Sequence, residues 1–575
     1  MKNEKETAKY RKFQKSFYFE DYAESEDIIN HKNTKIKVSR NRTIFIFFIF
    51  LSLIFVFCAK VTYLAFSKKT LHYSQSHKLK ALKIRGDIVD QNDNILARNI
   101  NSYSVGIQPK LIKDRKKFLI DLRLFYPDLK SKAISDKINQ DTYFYIKKKI
   151  TAEEKTKLFS LGYEAIQFEE TQTRFYPQKN LFSHVIGQID EDNYGISGLE
   201  KSFDQNLKSK KIINSHLKLT LDSNLQHIIR EELIKAQKIF STIGSAAILM
   251  NIHNGEILSL ISLPDFDLNQ RKKINEDIYT NKITKGVYEL GSVFKTFTLA
   301  AGLENKVVDL NTMFNNLEKN LFCDGKKISE HDKLPENLSA EQILIRSSNI
   351  GAIRIAQKVG IENYQNFLNS LGLFETISFD LEEVGTPLSF RWGKCKLATA
   401  SFGHGITTTP LQLAKSYAIL GNGGYEIYPT ILKEKNKPIK KQIISSETSS
   451  KINFTLRKVV SEEEGTANFA NIKGYEVGGK TGTAYKSING TYDKNKKLNT
   501  FVSLFPASRP RHILLVMLDE PKPAPNFTYE FSNGYKNSGY TRNTSGWNSV
   551  VVAGKIIEKI GPILAIKNLQ AFKKF

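Results

Sequence analysis

The densest apolar pattern in the chain runs from Thr43 to Ala59, seventeen uncharged residues, and continues past Lys60 to Phe66. At a helical rise of about 1.5 Å per residue, such a run crosses a hydrocarbon layer of ~30 Å, with Lys60 snorkelling at its boundary. No small-residue cleavage site precedes it, so the pattern predicts an uncleaved transmembrane helix over 43–66 behind a polar, lysine-rich, floppy tail over 1–42. Short apolar runs then alternate with lysine-rich polar segments over 67–217. There Arg85 to Ala97 predicts a strand, a turn around Gln91 to Asn94, and a second strand. From 218 to 575 the apolar runs lengthen. They predict a helix over Leu225 to Phe240, strands over Ala246 to Asn251 and Glu256 to Leu263 joined at Asn254-Gly255, and a mainly helical stretch to about 420. Strands over Thr500 to Phe505 and His512 to Leu518 follow, then a closing helix from Trp547 to Leu564. Strands at both ends with helices between imply a central antiparallel sheet sandwiched by helices, the two ends meeting in space. The fold class read from this is α+β.

One run stands apart. From Leu290 to Leu303 the chain is almost wholly apolar or small, a buried helix by pattern, and Lys295 is its only charge. Ser292 lies three residues before it, on the same helix face, so the amine is within reach of the hydroxyl. An ammonium in so apolar a setting loses hydration, and its pKa falls toward values at which neutral lysine takes a proton from serine. The pair reads as nucleophile and base. An isolated S-x-x-K is more often a helix whose lysine finds a carboxylate or reaches the surface, so further motifs must carry the reading.

Composition adds limits. Three cysteines exclude a disulfide-dense scaffold; Cys323 and Cys395 are free to pair in an oxidising compartment, and the sequence leaves that open. Neither C-x-x-C nor H-E-x-x-H is present, so no metal and no cofactor is expected. The net charge of +26 is spread as scattered lysines without an aromatic-basic recognition motif, which argues for an anionic membrane surface or polymer and against nucleic acid. Lys32, Lys35, Lys37, Arg40 and Arg42 place positive charge on the tail side of the anchor. That asymmetry predicts tail inside and the remainder outside, although Lys68 and Lys69 weaken it.

Two clusters join the Ser292 pair. Ser347-Ser-Asn349 follows a helix-like Ala340 to Ile345; its serine can pass a proton and its amide can hold a substrate. Val477-Gly-Gly-Lys-Thr-Gly-Thr-Ala484 brings Lys480, Thr481, Gly482 and Thr483, glycines that admit a close backbone and side chains that bind a carboxylate. Gly474 to Thr481 also satisfies the phosphate-loop pattern in full. That loop requires a buried strand before it and a helix opening at the lysine, and this sequence offers neither. Arg85-Gly86-Asp87 spells an adhesion tripeptide, with nothing else to support adhesion.

Taken together, S-x-x-K, S-x-N and K-T-G-T in this order resemble the three active-site motifs of penicillin-recognising serine acyltransferases. The likeness extends over about residues 40 to 565. Arg85-Gly-Asp-Ile-Val-Asp90, Arg174-Phe-Tyr-Pro177, His184-Val-Ile-Gly187 and Gly198-Leu-Glu200 resemble the pedestal of class B penicillin-binding proteins. Ser401-Phe-Gly-His-Gly405, Thr409-Pro-Leu-Gln412 and Glu464-Gly-Thr-Ala467 resemble stretches of their transpeptidase domain. Ser347-Ser-Asn-Ile-Gly351 and Thr544-Ser-Gly-Trp-Asn548 look like the division-specific FtsI type more than the elongation type. Leu290 stands where the family usually has proline, and Gln91-Asn-Asp-Asn94 replaces its usual turn.

The resemblance implies an elongated mixed α/β pedestal over 67–217, a transpeptidase domain over 218–575, and a D,D-transpeptidase that cross-links peptidoglycan stem peptides ending in D-Ala-D-Ala. It makes Ser292 the nucleophile, Lys295 its base, Ser347 a proton relay tuned by Lys480, and Asn349 a ligand for the donor amide. Thr481 and Thr483 hold the donor carboxylate beside Gly482, and the N–H groups of Ser292 and Thr483 form the oxyanion hole. It further implies acylation by β-lactams, a place in the cytoplasmic membrane at the division septum with the catalytic domain periplasmic, and a SEDS-type glycan polymerase and other division-site membrane proteins as partners. Alternatives are an elongation-type class B protein, a β-lactamase or carboxypeptidase handing the acyl group to water, and a membrane β-lactam sensor. The alternative from another class is a division scaffold without catalysis.

Overall fold

The computed structural model describes residues 26–66, 85–127, 131–213, 215–270, 276–433, 441–488, 490–531 and 534–572. The first 25 residues of the expected tail, and residues 67–84 of the expected pedestal, lie outside them. The chain divides into two units, Met1–Ala81 and Leu82–Phe575.

The first unit holds α1, Glu26–Phe66. It begins earlier than the anchor predicted over 43–66 and takes in part of the tail read as floppy, because nothing between Glu26 and Arg42 breaks a helix. Its apolar segment Thr43–Tyr63 is long and apolar enough to cross a membrane. The side chains there are exposed all round, as in Phe45, Phe50 and Phe55. Such a surface is stable only in an apolar solvent.

The second unit opens on a mixed sheet of β1 (Asp87–Val89), β2 (Ile95–Ile107), β3 (Phe144–Ile150), β4 (Ile166–Phe175) and β5 (His216–Lys218). β1 and β2 are the expected hairpin, antiparallel with Ile88 facing Ala97. The unusual turn Gln91 to Asn94 closes on Asp90, whose carboxylate accepts from the N–H groups of Asn92 and Asn94 at 2.8 and 2.9 Å and from the Asn94 amide at 2.9 Å. Asp90 also accepts from the N–H and hydroxyl of Ser223, tying this turn to the helix α2 (Ser223–Phe240). β5 pairs in parallel with β1, and Leu219 then bridges to Leu432. The segment expected to open the second domain thus stitches both regions together.

The pedestal-like motifs meet in one buried knot. Arg85 Nη2 and Arg174 Nε lie 2.7 and 2.6 Å from the two oxygens of Glu200, Arg85 Nη1 reaches Asp204 at 2.5 Å, and Arg174 Nη1 donates to the Gly86 carbonyl at 2.9 Å. Arg85 is 1 % exposed, which removes the adhesion reading of Arg85-Gly86-Asp87.

Beyond α2 come β6 (Gly244–Asn251), β7 (Ile257–Leu263), α3 (Lys295–Glu304), the hairpin β8 (Asn320–Cys323) and β9 (Lys326–Ser329), α4 (Asn349–Val359), α5 (Lys394–Ala400) and α6 (Ser446–Ser461). β10 (Gly478–Ile488), β11 (Thr491–Phe505), β12 (His512–Asp519) and α7 (Ser549–Phe572) close the chain. The sheet order is β10-β11-β12-β6-β7, antiparallel throughout, with Val516 opposite Ala247. The two ends of the region do meet, as the strand pattern predicts. β6, β7 and β12 are buried on both faces, α2 and α7 packing on one side and α3 lying in the same core. Cys323 and Cys395 are disulfide-bonded, pinning the β8–β9 hairpin to α5.

Candidate active site

Ser292 does not sit in the α-helix itself. Gly291–Phe294 form a 3-10 turn that runs into α3 at Lys295. Leu290 precedes it, buried, at φ −105°, a value outside proline's reach, so the turn forms here without the ring. Gly291 has φ +64°, and a Cβ on it would stand 2.7 Å from the Thr483 carbonyl. Gly403 has φ +78°, and a Cβ there would stand 2.1 Å from the Gly291 carbonyl. The Ser292 turn is therefore gripped by backbone on two sides, β10 and the Ser401 to Gly405 segment, at distances only glycine allows. From below, the Tyr417 hydroxyl donates to the Val293 carbonyl at 2.7 Å and lies 2.8 Å from Thr296 Oγ1.

The second motif arrives through α4. Ser348 caps it, accepting from the Gly351 N–H at 2.9 Å, and Asn349 is its first residue. Ser347, just outside the helix, holds φ +59°, a conformation uncommon for a non-glycine residue and frequent at functional sites. The third motif arrives on β10, where Lys480 lies opposite Val502 and Thr481 opposite Phe501. Lys480 thus sits within a strand and not at a helix N-terminus, which disposes of the phosphate-loop reading.

Ser347 Oγ is where the motifs converge. It accepts from Lys295 Nζ at 3.1 Å and from Lys480 Nζ at 2.9 Å, and Lys295 also donates to the Ser347 carbonyl at 2.5 Å. The sequence reading paired Lys295 with Ser292. Among the described residues the amine's hydrogen bonds go to Ser347 instead, because the 3-10 turn and the left-handed turn at Ser347 bring the second motif over the lysine. Both lysines are buried, 1 % and 0 % exposed, and Ser292 is 9 % exposed. Burial pushes Lys295 down to about 7, against the opposing pull of the Glu330 carboxylate. Burial, then the charge of Lys295, drives Lys480 well below its ordinary value.

The remaining polar groups frame this centre. The Asn349 amide nitrogen donates to the Ser329 carbonyl at 2.9 Å, which leaves its buried Oδ1 without a partner. Thr481 Oγ1 lies 2.9 Å from Thr466 Oγ1 and accepts from Lys480 at 3.3 Å. Thr483 Oγ1 accepts from the Ser545 N–H at 3.1 Å, so its own proton is available to a further acceptor. Thr466 and Ser545 come from two stretches singled out only by resemblance, and here they hold the β10 threonines. Glu330 escaped the sequence reading altogether: nothing in Ser329-Glu330-His331 marks it, and only its contacts with Ser348 and Asn349 bring it into the site.

The arrangement is the Ser292 turn, a hydroxyl between two buried lysines of lowered proton affinity, and an unpaired amide oxygen. Residues 245–539 match the penicillin binding protein transpeptidase domain, and residues 81–218 match the penicillin-binding protein dimerisation domain. The chain belongs to the class B penicillin-binding proteins. It is 31 % identical over 495 residues to a probable peptidoglycan D,D-transpeptidase FtsI of Caulobacter vibrioides, covering 84 % of this chain and 82 % of that one. It is 31 % identical over 553 residues to the peptidoglycan D,D-transpeptidase FtsI of Buchnera aphidicola, covering 86 % of this chain and 93 % of that one. In fold it is similar to penicillin binding protein 3 of Mycobacterium tuberculosis in the apo form, with a TM-score of 0.63 at 22 % identity over 84 % of this chain and 96 % of that one. That protein has also been solved complexed with aztreonam and with ampicillin.

Proposed function

We propose that this penicillin-binding protein is a peptidoglycan D,D-transpeptidase of septal wall synthesis in cell division. The observation that carries the reading is the Ser347 hydroxyl held between Lys295 and Lys480, both buried and both short of protons. Ser292 Oγ attacks the carbonyl of the penultimate D-Ala of a stem peptide. Lys295, uncharged, takes the proton; Ser347, hydrogen-bonded to both lysines, gives its own proton to the departing amine and regains one from Lys295, so terminal D-Ala leaves and an ester remains on Ser292. The N–H groups of Ser292 and Thr483 stabilise the oxyanion, worth about 3–4 kcal/mol per donor. Asn349 Oδ1, unpaired in the free protein, accepts from the donor peptide's amide, and Thr481 and Thr483 hold its carboxylate beside Gly482. An amine of a second stem peptide then takes the acyl group. β-Lactams acylate the same serine.

The chain's parts serve this chemistry as a tail over 1–42, a membrane helix over 43–66, a pedestal over 67–217 and a transpeptidase domain over 218–575. The Cys323–Cys395 disulfide supports a periplasmic catalytic domain, since such bonds persist in oxidising compartments, and the basic residues before the anchor support an N-terminus in the cytoplasm. A SEDS-type glycan polymerase and other division-site membrane proteins are the partners this reading assigns. The test is exchange of labelled D-amino acid into a synthetic stem pentapeptide. Wild type is expected to release D-Ala and incorporate the label, Ser292→Ala to do neither; release without incorporation would mark a carboxypeptidase.

A further inference from the structure

The β8–β9 hairpin ends beside the second motif, and its role is not given by the three motifs. Glu330 follows β9 directly. Its carboxylate accepts from the Asn349 N–H at 2.7 Å, the Ile350 N–H at 2.9 Å and the Ser348 hydroxyl at 2.7 Å, closing the start of α4. The residue before it, Ser329, takes the Asn349 side-chain amide on its carbonyl. Ser329 and the residue that follows it thus fix both the backbone and the side chain of Asn349, two residues after Ser347 with its left-handed φ. The hairpin itself is anchored on its other side by Cys323–Cys395.

We propose that Glu330 is a positioning residue of the acyl-transfer site, acting through the Ser348 hydroxyl and the N–H groups of Asn349 and Ile350 to hold Ser347 over Lys295 and Asn349 toward the donor peptide. A simple helix cap satisfies N–H groups wherever the helix happens to point. This carboxylate instead joins α4 to a cross-linked hairpin, and the helix start carries two of the motif side chains. Its negative charge also bears on Lys295. The other titratable groups that feel that amine are Lys480 and His331, both lowered first by burial and then by the charge of Lys295.

This inference rests on the serine acyltransferase reading, and the experiment separates the two. Full-length wild type, Glu330→Gln and Glu330→Ala are acylated with a fluorescent penicillin, and the second-order rate per folded molecule is followed against pH, with melting recorded alongside. Glu330→Gln keeps the side chain's size and one acceptor oxygen but loses the charge and the other. Its rate is expected to fall about tenfold, the weight of one charged hydrogen bond, with its pH midpoint displaced downward. Glu330→Ala, which frees the start of α4, is expected to lose about 100-fold. If the alanine variant does not fold, the glutamine variant decides. A Glu330→Gln protein with wild-type rate and midpoint overturns the proposal, whether or not it melts earlier, since a mere cap changes stability alone. Absence of a Ser292 adduct in wild type would overturn the acyltransferase reading itself.

Discussion

Arg85 and Arg174 in the knot beside β1, and Lys295 and Lys480 on the Ser347 hydroxyl, are four basic side chains taken out of water in one protein. The arginines meet Glu200 and Asp204 at 2.5 to 2.7 Å. Neither lysine, among the described residues, has a carboxylate within ion-pairing distance. A buried charge with its counter-charge stays charged and holds elements together; a buried amine without one gives up its proton. The knot is architecture and the site is chemistry, and the difference lies in what is missing from the second. The missing partner is an energetic cost at the site, and the proposed chemistry depends on it.

The contrast predicts opposite outcomes for substitutions in the two places. Lys295→Met is expected to lower acylation about 1,000-fold, the weight of a positioned base, while melting stays level or rises, because an unpaired buried amine is replaced by an apolar chain of similar length. A melting point that collapses with activity would mean the lysine is structural after all. Glu200→Gln should do the reverse: it leaves Arg174 without a carboxylate and Arg85 with Asp204 alone, and is expected to cost about 3–5 kcal/mol in denaturant unfolding, with acylation per folded molecule near wild type. Asp204→Asn, at a side chain 17 % exposed, sharpens the scale with a loss of about 1–3 kcal/mol.

Much of this was legible in the chain, for identifiable reasons. The strands β6, β7 and β12 are continuous apolar runs because both their faces are covered, and such runs are visible without any contact information. The turn at Asn254-Gly255, the helix before Ser347 and the closing helix carry local signals of the same kind. Tertiary contacts were not legible. Lys295 turns to Ser347, 52 residues away, and not to Ser292 three residues away, because a 3-10 turn replaces the first turn of helix. The Cys323–Cys395 bond depends on a hairpin meeting α5 across a separation of 72 residues. β5 joins β1 in parallel across the whole of the first region, and Glu330 is an acid among lysines until α4 is laid against it.

The central claim is that Ser292 is the nucleophile and that burial without an ion-paired carboxylate leaves Lys295 able to act as its base near neutrality. The most direct test is the rate of acylation by a penicillin from pH 5 to pH 10, with the adduct located by mass spectrometry. Lys295 has its proton affinity lowered to about 7, so the neutral base becomes more abundant as pH rises. The rate should climb about tenfold per unit below pH 7 and level off above it, with the adduct on Ser292 and absent from Ser292→Ala. A rate still climbing toward pH 10, where an ordinary lysine titrates, or an adduct on any other residue, would contradict the account.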